Sequence, residues 1–226
     1  MKKASFFLIT GLVLVLVTTG ILNTAGLSYA PEPIYHAEGV GKKVFFTFNV
    51  LWEMKNLQNI LELLDKHEAK VIFFVTGHWL KRFPNEAAEI IARGHQLGNK
   101  TVTNRSLLLL TEEEITEEIA NFNTLSKELL DYSPTFFRPS YGEYTLRIVR
   151  LAAEQGCTTL LWSINALILP GIETEMIFSH LEENLHDGAI ILFHTNSPEL
   201  EETLPEIIDF LEWKGYTIGS PILLNR

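Results

Sequence analysis

One stretch, residues 42–53 (KKVFFTFNVLWE), constrains the fold of this chain more than any other. Its β-branched and aromatic run, VFFTF, predicts a buried strand that ends at the polar residue Asn49, before a helical pattern begins. In α/β proteins the carboxyl ends of parallel strands open onto the ligand site. Asn49, Val50 and Trp52 are therefore expected at a functional edge. They are an amide and two apolar groups, which leaves open whether this edge still carries out chemistry.

Beyond this strand, short apolar runs alternate with amphipathic helical stretches. The run VIFFVTG is apolar on both faces, which is typical of a strand in a parallel sheet. The clearest helix is TEEEITEEIANFNTLSKELLDYS, where Thr111 and Glu114 predict a capping box and the acids are interpreted as a solvated face. The strand–helix unit recurs about seven times, with crossovers long enough for parallel pairing. These patterns predict an α/β fold.

The N-terminus reads as an appendage to one domain. Lys2 and Lys3 precede an apolar segment that is roughly 19 residues long, and a small-residue ending follows at SYA. Residues 1–30 are therefore expected to be a cleaved signal peptide, with an uncleaved membrane anchor as the alternative, because Pro31 is a poor residue after a scissile bond. Residues 31–41 are interpreted as a linker and residues 42–226 as the domain.

Charge and cysteine content exclude some classes of function. The formal net charge is −10, and an acidic domain lacks the basic surface that nucleic acid phosphates require. The single cysteine, Cys157, lies in the apolar run CTTLLW and is expected to be a buried, inert thiol.

A series of short motifs appears in a recognisable order. They are VFFTF, VIFFVTG, GHQLGN, FFRPSYG, TTLLWSIN and GAIILFHTN, the last followed by LPEIIDFLEWKGY. Together they resemble the polysaccharide deacetylases of carbohydrate esterase family four, the NodB homology domain, from about Lys42 to the C-terminus. The resemblance implies a distorted seven-stranded (β/α) barrel. The ending NVLWE is most similar to the branch of this family found in sporulating bacteria.

The resemblance also implies a zinc-dependent hydrolysis of acetyl groups on a glycan, with one Asp and two His as ligands. This sequence departs from that site at four positions. The base position is Asn49, and the three ligand positions are Val50, Lys100 and Asn104. An amide is no general base, valine has no donor atom, and an ammonium repels a cation. No metal or other cofactor is therefore expected. The WDVDP motif of the family is WSINA here, so that Ser163 and Asn165 replace its acids.

Other positions of the family site are retained. Arg138 matches the arginine that orients the base, and His194 matches the general acid. Without an acid at position 49, Arg138 is expected either to face the groove as a free guanidinium or to satisfy loop carbonyls. For His194 the alternatives are a contact with ligand and a hydrogen-bonded core histidine.

Four residues are predicted to contact substrate. They are Tyr141, Trp162, Lys100 and Asn165. Arg105 would add positive charge at the same mouth, unless it and Lys100 are simply solvated on a polar loop.

Three functions remain open at this stage. The first is an extracytoplasmic, deacetylase-like protein without metal-dependent catalysis that binds a cell-wall glycan or an envelope protein. The second is a hydrolase that removes acetyl groups (at a carbon–nitrogen, non-peptide bond) without zinc, using Lys100 to stabilise the oxyanion and His194 as acid and base. The third is a structural scaffold of an envelope or sporulation assembly.

Overall fold

A computed structural model describes residues 31–50, 56–166, 171–195, 197 and 199–224 of the chain. The expected signal peptide or anchor, residues 1–30, lies outside these ranges, and so does Trp52. Within the described ranges no helix has the length and apolar character that crossing a bilayer requires.

The described strands form one parallel sheet. They are β1 (Lys43–Val50), β2 (Ile72–Val75), β3 (Gln96–Asn99), β4 (Phe136–Phe137), β5 (Thr158–Thr159), β6 (Ile164–Asn165), β7 (Ile190–His194) and β8 (Thr217–Ile218). Seven of them follow the order β5-β4-β3-β2-β1-β7-β6, and β8 pairs with the start of β1. The sheet curls into a half-barrel with helices packed on it. The predicted α/β fold of the NodB type is confirmed. The predicted strand at VFFTF is part of β1, which pairs with β2, β7 and β8.

The helices lie between the strands, as parallel pairing demands. They are α1 (Leu57–Lys66), α2 (Gly77–Arg82), α3 (Pro84–Ala92), α4 (Glu112–Leu130), α5 (Leu146–Glu154), α6 (Thr174–Asn184) and α7 (Leu200–Trp213). The capping box predicted for α4 is present, because the Thr111 hydroxyl accepts from Glu114 N and the Glu114 carboxylate accepts from Thr111 N. The short helix α2 was not predicted. It begins after Thr76, whose hydroxyl accepts from Trp79 N at 3.1 Å.

Part of the segment interpreted as a linker packs against the sheet. Ile34 donates its backbone N–H to Thr159 O at 2.9 Å and accepts from Leu161 N at 2.8 Å. Its side chain is buried, as is that of Ala37. This segment therefore extends the sheet beyond the short strand β5.

Strand alternation decides which β1 side chains face the functional edge. Phe46, Phe48 and Val50 belong to the apolar cluster that packs beneath the helices, together with Leu57 and Leu61 of α1. The residues between them, ending at Asn49, face the other side of the sheet. Consecutive residues at the end of one strand therefore have separate roles.

Candidate functional site

The carboxyl ends of the strands converge on one pocket of about 250 Å³. Asn49 of β1 is in register with His194 of β7, so that these two strands place their last polar residues side by side. The described residues that line it are Asn49, Lys100, Asn104, Tyr141, Trp162, Asn165, Leu192 and His194. The sequence had identified every one of these except Leu192.

Val50 does not line this pocket. It is completely buried in the helix-side cluster, because alternation along β1 turns it away from Asn49. The residue that stands at a ligand position of the family thus has neither a donor atom nor, in this backbone, the orientation of a ligand.

Arg138 lies behind the pocket and is 0% exposed. It donates from Nε to Leu160 O at 3.0 Å and from Nη2 to Leu161 O at 2.8 Å. Its Nη1 donates to Asn49 Oδ1 at 3.3 Å, and its guanidinium lies 4.0 Å from the centre of the Phe74 ring. The expectation of a guanidinium that faces the groove is therefore wrong. The alternative, an arginine that satisfies loop carbonyls, is confirmed, and burial lowers its pKa.

Lys100 follows β3 and turns into the pocket. Only 3% of it is exposed, so the interpretation as a solvated loop lysine is wrong. Among the described residues, its ammonium has no hydrogen bond and no ion pair. The charged group that acts on its pKa is Arg138. Burial, reinforced by Arg138, lowers the pKa of Lys100 to about 7. Its amine therefore changes charge near neutral pH.

Arg105 has a different role from the one expected. Its Nε forms an ion pair with Glu118 Oε1 at 3.1 Å, and it does not line the pocket. The expectation that Arg105 adds free positive charge to the mouth is wrong, because a carboxylate from α4 neutralises it.

The loop that carries Lys100 and Asn104 is held by Glu118, which is 5% exposed. The Glu118 carboxylate accepts from Val102 N at 2.9 Å, from Thr103 N at 3.0 Å and from Thr103 Oγ1 at 2.7 Å. Sequence reasoning had assigned this acid to a solvated face. Its position three residues after Ile115 and directly before Ile119, on the apolar stripe of α4, was the available signal that it is buried.

Asn104 ends this loop in the left-handed region, with φ of +61°. Its backbone N–H donates to Thr101 Oγ1 at 2.9 Å. Its side-chain Oδ1 is buried and accepts no hydrogen bond from the described residues. An acceptor buried in this way is costly unless a water molecule or a ligand supplies the donor.

His194 lines the pocket as a half-buried side chain. Its pKa is lowered first by burial and then by the charges of Lys100 and Arg138, so its neutral form is favoured. Within the described part of the chain its ring nitrogens have no hydrogen-bond partner. The ring thus faces the pocket without a hydrogen bond from the described residues that would hold it in the core.

The aromatic side of the pocket is built on a tight turn, Ser140–Gly142. Tyr141 is 68% exposed at the rim and has φ of +60°. A Cβ on Gly142 would lie 2.6 Å from Cη2 of Trp162, so only glycine lets the indole pack on this turn. The turn thereby sets the position of Trp162.

The residues present do not fit a zinc ion. Among the described residues no group of three or more His, Cys, Asp or Glu side chains is placed to hold a metal. The pocket itself offers the Lys100 amine, three amides and one histidine, whereas zinc sites use thiolate, imidazole and carboxylate ligands. Of the residues that the structure describes, none in the lining is a carboxylate that would take a proton from water. The pocket is suited to binding a ligand through hydrogen-bond donors and through the positive charge of Lys100, which depends on pH.

Comparison with known proteins identifies relatives over most of the chain. A family model described as polysaccharide deacetylase matches residues 36–160. The uncharacterized protein YlxY of Bacillus subtilis is 28% identical over 193 residues, which are 85% of this chain and 60% of YlxY. A peptidoglycan-N-acetylglucosamine deacetylase of Bacillus cereus is 30% identical over 177 residues, 76% of this chain and 64% of that protein. The chain thus spans less than two thirds of the length of each of these two relatives.

Among solved structures, a strong match is to BA3943 of Bacillus anthracis, described as a CE4 family pseudoenzyme. It is 28% identical, with 84% of this chain and 67% of that one covered and a TM-score of 0.79. A BA3943 mutant described as having restored enzymatic activity gives 27% identity, coverage of 84% and 70%, and a TM-score of 0.79.

Proposed function

The chain belongs to the polysaccharide deacetylase family, and from this premise we propose that it is an extracytoplasmic glycan-binding protein without zinc-dependent deacetylase activity. The observation that carries the proposal is the pocket itself. A buried lysine and two amides stand where this chemistry needs a base and metal ligands, while the walls that would contact a sugar are kept.

The choice of a cell-wall glycan rests on the relatives. One of them is named as a deacetylase of peptidoglycan N-acetylglucosamine, and this name supports an extracytoplasmic location, where such a glycan would be met. Location by an N-terminal signal peptide or anchor, and placement in the branch of sporulating bacteria, stay predictions.

The test is acetate release from acetylated chito-oligosaccharides and peptidoglycan by the full chain, with zinc present. We expect none from the wild type. The matched variant restores the family residues at four positions (Asn49→Asp, Val50→Asp, Lys100→His and Asn104→His), and acetate release by it alone would support a kept glycan groove. A second variant without the Val50 change separates folding from chemistry, because that position lies in the helix-side core. Metal-dependent release by the wild type would contradict the proposal.

A second candidate is hydrolysis without a metal, which the buried position of Lys100 favours. An ammonium at that place would stabilise a developing oxyanion, and His194 would serve as acid and base. Acetate release that persists in a chelator and is lost in both Lys100→Met and His194→Ala supports it. The absence of a carboxylate from the described pocket weighs against it, because nothing there activates water.

A further inference from the structure

We propose that the pocket is a receptor for a carboxylate group whose molecule also carries a hydroxyl or an amide N–H, and that Lys100 is the counter-ion. The ligand class that these groups fit best is a sugar acid such as a hexuronate. The inference rests on the proposed function, because it names what the same pocket binds.

The first argument is charge. Lys100 and Arg138 are both buried, and neither forms an ion pair with an acid among the described residues. The part of the lining that the structure describes includes no Asp or Glu. Uncompensated buried charge is unfavourable by several kcal/mol, so the pocket lacks one negative charge that a bound anion would supply.

The second argument is the direction of the donors. Asn49 accepts from Arg138 through Oδ1, which leaves its Nδ2 as a donor without a partner in the described part of the chain. The Lys100 ammonium brings further N–H donors to the same pocket. A carboxylate has two oxygens and accepts from several donors at once, whereas a neutral carbonyl offers one oxygen and no charge.

The third argument comes from Asn104. Its buried Oδ1 accepts from none of the described residues, so a ligand that displaces water from this atom must also carry a donor. A hydroxyl or an amide N–H beside the carboxylate meets this need, and a bare carboxylate does not.

Size and shape fit a single sugar unit. The pocket measures about 250 Å³, slightly below the range of about 300–1,000 Å³ that is common for drug-sized ligands. Trp162 and Leu192 form an apolar wall against which the C–H face of a pyranose ring can pack. Tyr141 stands at the rim with its side chain largely exposed.

Binding of an anion in this pocket should be accompanied by uptake of protons. The charged and titratable groups that face Lys100 are Arg138, from the end of β4, and His194, from β7, and Tyr141 lines the same pocket. A bound carboxylate raises the pKa of Lys100, which in the free protein is about 7, so protons are taken up on binding. Affinity therefore falls as the pH rises above that value, since the free amine loses its charge.

The test is calorimetry on the full-length chain in metal-free buffer, below and above the Lys100 pKa of about 7. The probes are glucuronate and glucose, then glycolate, acetate and acetamide. We expect glucuronate to bind at least about tenfold more tightly than glucose at the lower pH, and glycolate more tightly than acetate. The preferences that depend on the acid, for glucuronate over glucose and for acetate over acetamide, should shrink at the higher pH. Equal affinity for glucuronate and glucose would overturn the proposal.

Two variants and a control sharpen the result. Lys100→Met removes the charge, and Asn49→Asp supplies a carboxylate from the chain itself at nearly constant shape; each should weaken glucuronate binding at least about tenfold. Glu53→Gln should leave it unchanged, although Glu53 lies outside the described residues. Tighter binding by Glu53→Gln would show that this acid already pairs with Lys100 and would overturn the proposal. If Lys100→Met does not fold, Asn49→Asp decides alone.

The outcomes separate this inference from the proposed function. Equal metal-free binding of acidic and neutral glycans overturns the carboxylate receptor and leaves the glycan-binding function in place. Zinc-dependent acetate release overturns the function itself.

Discussion

Two buried charged side chains beside the same loop, Glu118 and Lys100, differ in how well the surrounding residues satisfy them. Glu118 is 5% exposed and accepts hydrogen bonds from two backbone N–H groups, a hydroxyl and the Arg105 guanidinium. Lys100 is 3% exposed and, within the described residues, has no such partner. The first charge is part of the scaffold that fixes the loop. The second faces the pocket, and its cost is offset only when something binds there.

Amino-acid composition does not distinguish a buried charge that supports the fold from one that binds a ligand, but their hydrogen bonds do. A satisfied buried charge fixes the backbone, whereas an unsatisfied one at a strand end marks a binding site with an open requirement. Arg138 is intermediate, because its donors are used by two carbonyls and an amide, but no acid of the described segments balances its charge.

The largest effect is expected from Glu118→Ala. It leaves buried N–H groups and a guanidinium without acceptors, so we expect a loss of about 3 kcal/mol in the free energy of unfolding. Denaturant unfolding measures it, and Glu117→Ala on the exposed face of the same helix is the matched control. A loss no larger than that of the control would mean that Glu118 is not the scaffold charge.

Lys100→Met should change the free energy of unfolding in the opposite direction. Removing a buried ammonium without partners, while keeping its apolar stem, should raise the free energy of unfolding by about 2 kcal/mol at neutral pH. The same unfolding experiment checks this. A clear loss of stability would show that Lys100 has a partner in the folded protein.

The pH dependence of stability follows from the same lysine. Its pKa is about 7 when folded and returns to near 10.5 when unfolded, so between these values the unfolded chain binds more protons. Stability contributed by this group therefore rises with pH across that window, by at most about 1.4 kcal/mol per pH unit, and is flat below it. The difference between wild type and Lys100→Met isolates the slope. Identical pH profiles for the two proteins would contradict a lowered Lys100 pKa.

Gly142→Ala is the smallest of these effects and concerns the aromatic wall. An added Cβ would meet Trp162, so we expect a loss of about 1–2 kcal/mol beyond that of Gly156→Ala, together with weaker glycan binding. The control is well matched, because φ is +75° at Gly142 and +76° at Gly156, where a Cβ meets nothing within 4 Å. Equal losses would mean that the turn does not set the position of Trp162.

The fold was predictable because its signals are local. The aromatic run of β1, the apolar run of β2 and the capping box of α4 each determine an element within a few residues. The motif order placed seven of the eight described pocket residues for the same reason, since each lies at the end of a strand or in the loop that follows one.

What the sequence did not reveal depends on contacts between distant segments. Arg138 is enclosed by Asn49, Leu160 and Leu161, which lie 89, 22 and 23 residues away, so its burial was not visible locally. Lys100 was interpreted as a solvated loop residue because nothing in the adjacent sequence shows that its side chain lines a pocket. Val50 was grouped with Asn49, although alternation alone would have separated them.

The most direct test of the central claim is a zinc titration by calorimetry of the full-length chain, with the four-position restored variant as its control. The pocket chemistry predicts no specific binding to the wild type. The restored variant gains two imidazoles through Lys100→His and Asn104→His and is expected to bind one zinc ion through them, with no ligand needed from position 50, whose side chain turns away from the pocket. One-to-one binding of zinc to the wild type with a Kd of about 1 μM or tighter would contradict the account.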